Sequence, residues 1–222
     1  VITRRMDRLP ASHQLTLKVA SVIGRIFILN MLAKVHPAKV EKTVLTEYLQ
    51  SLTRQGITDV ASLDPEIAYL FRHVIIQEVV YSLLTFNQRK QLHCAIADWY
   101  EKYYANDLTP YYSRLAHHWL KGENRDKALY YLERAAEQSL KHYSNEDVIR
   151  FINMALELDK TDKGNKSPAK VLQHARWERI LGMAYFKLGK LNEAEGHLSA
   201  TLKLLGSPLP KGSLASILHL LK

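Results

Sequence analysis

The sequence predicts a mainly α-helical chain whose first half closes on a short β-ribbon and whose second half is a run of helical hairpins. Three observations carry this expectation. Apolar residues recur at spacings of three and four over most of the chain. That period breaks over Ile57–Phe71, where Asp64-Pro65 marks a turn between two short runs of β-forming residues. From Tyr111 onward, large and small apolar residues alternate in a pattern that pairs helices.

Taken in order, Thr3-Arg4-Arg5-Met6-Asp7-Arg8-Leu9 reads as the end of a helix that Pro10 breaks. Ser12 then serves as N-cap of a helix carrying Leu15, Leu17, Val19, Ala20 and Val22, which Gly24 ends. A second helix is expected from Phe27 to Val35, with Ile28, Leu32 and Val35 inward. Pro37 suits the first turn of a third helix, whose apolar stripe is Val40, Val44, Leu45, Tyr48, Leu49 and Leu52 and which Gly56 closes. The ribbon pairs Ile57-Thr58-Asp59-Val60 with a strand from Ile67 to Phe71. Three helices followed by a β-ribbon is the winged-helix pattern, the ribbon being its short β-wing. The second strand ends at Arg72-His73 and continues as a helix with Ile75, Ile76, Val79, Val80 and Leu83 at helical spacing, so the chain is organised around residues 69–84. Residues 86–104 form a further helix, and Asn106–Pro110 a loop.

Beyond that loop, Tyr112, Leu115, Ala116, Trp119, Ala128, Leu132 and Ala135 match tetratricopeptide (TPR) spacing. Leu181, Gly182, Tyr185, Ala194 and Leu198 match it again, with Thr201 where the pattern prefers Ala. Helix 126–142 is expected to pair with helix 145–159, whose Val148, Ile152 and Ala155 face inward. The expected organisation is a winged-helix-like domain over 1–84 and a connecting helix and loop over 85–110. TPR-like helices over 111–160, a polar linker over 161–168 and a TPR repeat over 169–205 follow, and a further helix starts within 206–222. The chain opens on Val1-Ile2-Thr3 and stops inside an amphipathic pattern at Leu218-His219-Leu220-Leu221-Lys222, so it reads as a piece of a longer protein.

Composition bounds the function classes. The 222 residues are 47% hydrophobic, enough for a real core. The formal charge of +9 favours acidic partners, nucleic acid among them, but the Lys and Arg residues are scattered over what would be solvated helix faces. In the expected third helix Lys39, Lys42, Gln50 and Arg54 are interleaved with Glu41 and Glu47, which weakens a DNA-reading face. A single cysteine, Cys94, rules out a disulfide framework within the chain and favours a cytoplasmic location. Neither a signal peptide nor an apolar run of transmembrane length is present, and no membrane partner is expected.

Motifs for chemistry are sparse. There is no Gly-x-x-x-x-Gly-Lys-[Ser/Thr] loop, Gly-x-Gly-x-x-Gly, Cys-x-x-Cys or His-Glu-x-x-His, so this portion is expected to be neither an ATPase nor any other enzyme, and to hold no metal. His117 and His118 are adjacent and would point about 100° apart on a helix, which suits a surface or core role rather than a shared metal. Asp98 and Glu101 read as solvated charges, and Glu78 and Arg89 as an ion pair or surface charges. His73 is the candidate site residue. It lies where a strand gives way to a helix, where it either bonds to backbone or, with Arg72, contacts a phosphate at a helix N-terminus.

Four passages bring a family resemblance. Arg5-Met6-Asp7-Arg8-Leu9-Pro10 and Leu17-Lys18-Val19-Ala20-Ser21-Val22-Ile23-Gly24-Arg25-Ile26-Phe27 resemble the segment that follows the ATPase core in STAND-class signalling ATPases. Phe71-Arg72-His73-x-x-Ile76-x-Glu78-x-x-Tyr81-x-x-Leu84 is similar to their winged-helix signature, and Arg89-x-x-Leu92-His93-x-x-Ile96-Ala97 to the helix that comes next. The resemblance extends to soluble-type class III adenylate/guanylate cyclases and to related bacterial kinases and transcription regulators.

The resemblance implies a non-catalytic regulatory and protein-interaction portion that couples nucleotide state to an effector. ATP or ADP with Mg would be bound mainly by an upstream P-loop ATPase domain in the same chain. His73 matches the family's contact to the β-phosphate of ADP, although the family favours a small or acidic residue next and this chain has Val74. Two alternatives stay open: a winged-helix DNA-binding transcription regulator with a TPR sensor array, and a TPR scaffold that binds a protein or peptide on its concave face.

Overall fold

The computed structural model describes residues 2–160 and 167–207. The start of a further helix expected within 206–222 therefore lies, from residue 208 on, outside the described residues, as do residues 161–166 of the expected linker. The fold is mostly helical, with one small sheet. Two compact units emerge. The first takes in the residues up to Leu108 together with His117–Asn124, and the second takes in Thr109–Ala116 and the residues from Arg125 on.

The first unit begins with a short helix, α1 (Ile2–Asp7), followed by α2 (Ala11–Ile23). Pro10, not Ser12, is the N-cap of α2. A proline already has the extended conformation that a cap needs and lacks an N–H to satisfy. Ser12 falls one position inside the helix, and its Oγ lies 3.3 Å from His13 Nδ1.

The helix expected from Phe27 is half strand. Ile26–Ile28 form β1, and α3 starts only at Leu29 and runs to Val35. A short apolar run such as Ile-Phe-Ile cannot be told from a helix by periodicity. What decides it is the central strand β3 (Ala68–Phe71), whose backbone needs partners on both edges. On one side β3 pairs antiparallel with β1, placing Ile26 opposite Leu70 and Phe27 opposite Tyr69. On the other it pairs with β2 (Thr58–Ser62), placing Asp59 opposite Leu70, with an irregularity between Val60 and Ser62. The order is β1-β3-β2.

Pro37 does not open the third helix. The segment from His36 to Glu41 is a turn, with Lys39 at φ +49°, and α4 runs Lys42–Arg54. His36 builds this turn. It is 3% exposed, its Nδ1 accepts the Ala38 N–H at 3.3 Å, and its carbonyl accepts the Lys39 N–H at 3.0 Å. Leu45, Leu49 and Leu52 of α4 are fully buried together with Leu17, Leu32, Phe27 and Phe71. Each side chain of this kind contributes roughly 1.5–3 kcal/mol on burial.

Two more helices follow, α5 (Val74–Ser82) and α6 (Phe86–Tyr103). Thr85 and Gln88 form a reciprocal capping box at the start of α6. Helix α7 (Tyr112–Lys121) is divided between the units, its residues to Ala116 counted with the second and those from His117 with the first.

In the second unit, α8 (Arg125–Lys141) packs on α9 (Asn145–Lys160), and α10 (Pro168–Lys187) packs on α9 and on α11 (Leu191–Leu204). Pro168 occupies the first turn of α10 behind the Ser167 cap, so the polar stretch ends there. Gly182 lets α10 and α11 touch, since a Cβ there would lie 2.7 Å from Leu198 Cγ. Two buried carboxylates tie the helices together. Glu133 accepts the Trp177 indole N–H and an Arg176 N–H, each at 3.1 Å. Asp159 accepts from Arg125 and from His174 Nε2, the latter at 2.7 Å.

Candidate functional site

The junction between β3 and α5 holds both sequence-predicted site residues. The backbone of Arg72 still belongs to the sheet, its N–H donating to the Ile57 carbonyl at 3.1 Å. His73 then adopts an extended N-cap conformation, φ −126° and ψ 132°, and its carbonyl accepts the Ile76 N–H. The His73 side chain makes no capping bond. Arg72, His73, Val74 and Ile75 are all exposed, whereas Ile76 and Val80 of the same helix are buried. The start of α5 is thus anchored on one face and open on the other. Its first backbone N–H groups have no acceptor within a helix and favour an anion.

The Arg72 guanidinium is already engaged. Its Nε and Nη2 donate to the two carboxylate oxygens of Asp59 at 2.8 and 2.7 Å. This bond holds Asp59 below the usual carboxylate range and raises Arg72 further. The remaining nitrogen, Nη1, lies against Gly56, where an added Cβ would come within 3.0 Å of it. Gly56 has φ +67°, so the α4–β2 turn needs glycine both for its backbone and for this approach. The site thus holds a fixed guanidinium and an exposed imidazole at an open helix start. Donors of this kind at a helix start favour an anionic oxygen.

Several side chains took roles that local spacing did not reveal. Arg89 is not paired with Glu78. It donates to the Leu84 and Ser82 carbonyls at 3.1 and 3.2 Å and lies over the Tyr81 ring, closing the end of α5. Glu101 is not a solvated charge, because it accepts the indole N–H of buried Trp119 at 3.0 Å. His93 and His118 are buried and meet Nδ1 to Nδ1 at 2.8 Å, while Tyr81 Oη lies 3.1 Å from His93 Nε2. Burial, reinforced by nearby His117, Lys121 and Arg89, pushes the His93 pKa down to about 3, so it is neutral in this chain of bonds. The neighbour His117 is exposed. The Asp59–Arg72 pair follows from the strand register: with Asp59 opposite Leu70, Asp59 and Arg72 share one face of the sheet, a diagonal apart.

Among the described residues, no group of three or more His, Cys, Asp or Glu side chains is arranged to hold a metal ion, and no helix is long and apolar enough to cross a membrane.

No protein-family model matches the chain, and no solved structure matches it. Among curated proteins it is similar to adenylate cyclase type 10 of Homo sapiens, at 32% identity over 106 residues, which is 48% of this chain. The matched stretch spans 7% of that protein's length. The likeness is partial.

Proposed function

We propose that this chain is the regulatory and protein-interaction portion of a STAND-type signalling ATPase, of the kind that includes soluble-type nucleotide cyclases. The single observation that carries the reading is the 106-residue similarity to a human adenylate cyclase. The fold agrees with it: α2, α3 and α4 lead into a small antiparallel sheet as in a winged helix, and the paired helices α8 to α11 have the texture of a TPR array. In this reading catalysis belongs to other domains of the parent protein, with ATP or ADP and Mg held mainly by a P-loop domain upstream. This portion reports nucleotide state, and the helical pairs bind a protein or peptide.

His73 and the open start of α5 would receive a phosphate oxygen of ADP, with Arg72 Nη1 as a second donor. The residues fit such a contact because His73 is exposed and Asp59 fixes the guanidinium without using Nη1. A contact made to ADP and rearranged by ATP shifts the balance between two states of the parent. His73→Ala in the full-length protein is expected to shorten ADP retention and raise basal output. If ADP retention and basal output both stay at the level of the unaltered protein, His73 has no nucleotide role.

A second reading has one observation in its favour: Lys39, Lys42, Gln50 and Arg54 are all exposed on or beside α4, in a chain of charge +9. If α4 reads DNA, duplex affinity falls steeply with salt and depends on Lys42 and Arg54. Exposed Glu41 and Glu47 on the same segment oppose it.

A further inference from the structure

We propose that a groove in the first unit, walled by α2 and α6, binds an aliphatic carboxylate: an apolar chain carrying a single anionic head. The groove measures about 600 Å³ and includes neither Arg72 nor His73. That volume lies within the usual range for small-molecule sites. An α-helix about 10 Å across would fill it in roughly one and a half turns, so a small molecule suits it better than a docked helix.

Each wall comes from a helix with two apolar faces. One face of α2 supplies Leu17 and Ala20 to the core, and one face of α6 supplies Ile96 and Ala97. The groove uses different stripes, Leu15 and Lys18 on α2 and Leu92 and Ala95 on α6, all at helical spacing and all only partly buried. Buried Val35 and Leu84, with exposed Pro37, complete the apolar lining. No aromatic ring lines the groove, so it offers no stacking surface and suits an alkyl chain.

Lys18 sets the sign of the ligand. It is the one charged side chain in the lining, no carboxylate accompanies it there, and it has no acidic partner among the described residues. An ammonium held against an apolar wall attracts one anionic group and repels cations. The remaining polar rim is made of the neutral amides Gln14, Gln88 and Gln91. A polyanion would meet a single cation there, whereas a monocarboxylate is matched in both charge and polarity.

The test titrates decanoate into the 222-residue chain by calorimetry, beside decyltrimethylammonium, which has an alkyl tail of nearly the same length and the opposite charge. The expected result is saturable one-to-one binding of decanoate, none of the cation, and about tenfold weaker decanoate binding in Lys18→Gln. Leu92→Gln, at a partly buried position, is expected to weaken it as well, with a thermal melt confirming that each variant is folded. Absence of decanoate binding overturns the proposal. So does equal binding of the two amphiphiles, a comparison that needs no variant, and so does unchanged affinity in folded Lys18→Gln. These outcomes are separate from those of the His73 experiment.

Discussion

His93 is held between Tyr81 and His118, with Arg89 and Lys121 contributing positive charge nearby. Its pKa is about 3 in the folded chain against about 6.5 in the unfolded one, so the unfolded state binds the extra proton first. The stability that follows is complete above pH 6.5 and declines as pH falls from there toward 3. A tenfold change in proton affinity is worth about 1.36 kcal/mol, so the full effect is on the order of a few kcal/mol. His13, His36 and His117 are lowered as well and act in the same direction. Urea denaturation across this range is expected to show a shallower acid loss for His93→Gln than for the unaltered chain, and an identical slope would remove His93 from the account. Nothing local in the sequence marks this cluster, since His93 and His118 stand far apart and only the packing of α6 with α7 unites them. Arg72 and His73, by contrast, were legible as a strand-to-helix junction. What the junction does with Arg72 was not, because Asp59 becomes its neighbour only through the register of β2 on β3.

At the scale of elements, the close contact of α10 with α11 rests on the missing side chain of Gly182. A methyl there would lie 2.7 Å from Leu198 Cγ, inside any acceptable contact. Gly182→Ala is therefore expected to lower the stability of the second unit by about 1–3 kcal/mol, as overpacking does. Adding Leu198→Ala is expected to recover part of the loss by making room. Chemical denaturation of the two single variants and the double variant gives the coupling, and strict additivity would show that the two sites do not press on each other. This contact was readable from sequence, because a Gly in the middle of an apolar helical stripe signals close approach. The start of α3 and the turn before α4 were not. Ile26–Ile28 have the same periodicity in a helix as in a strand, and Pro37 suits a helix start unless a buried His36 claims the preceding turn. In both places long-range partners override the local preference.

For the whole molecule, the mainly helical class and two of the three strands, β2 and β3, could be read from the sequence, because the helical period breaks there over a long enough run. The course of the boundary could not, since it runs through a helix that has no break in its own pattern. Helix α7 gives Leu115 and Ala116 to the second unit and His118 and Trp119 to the first. A chain ending at residue 110 therefore lacks His118, which meets His93, Trp119, which donates to Glu101, and Glu123, which pairs with Lys90. Thermal unfolding is expected to find it much less stable than a chain ending at Asn124, and equal melting temperatures would mean that His117–Asn124 adds nothing to the first unit. The same division orders events at the ribosome. The core around α6 stays open until Asn124 has emerged, on the order of a second or more after Leu108 at ordinary rates of synthesis. By then Thr109–Ala116, the first segment of the second unit, has emerged as well, so the nascent chain cannot finish the first unit before it has begun the second.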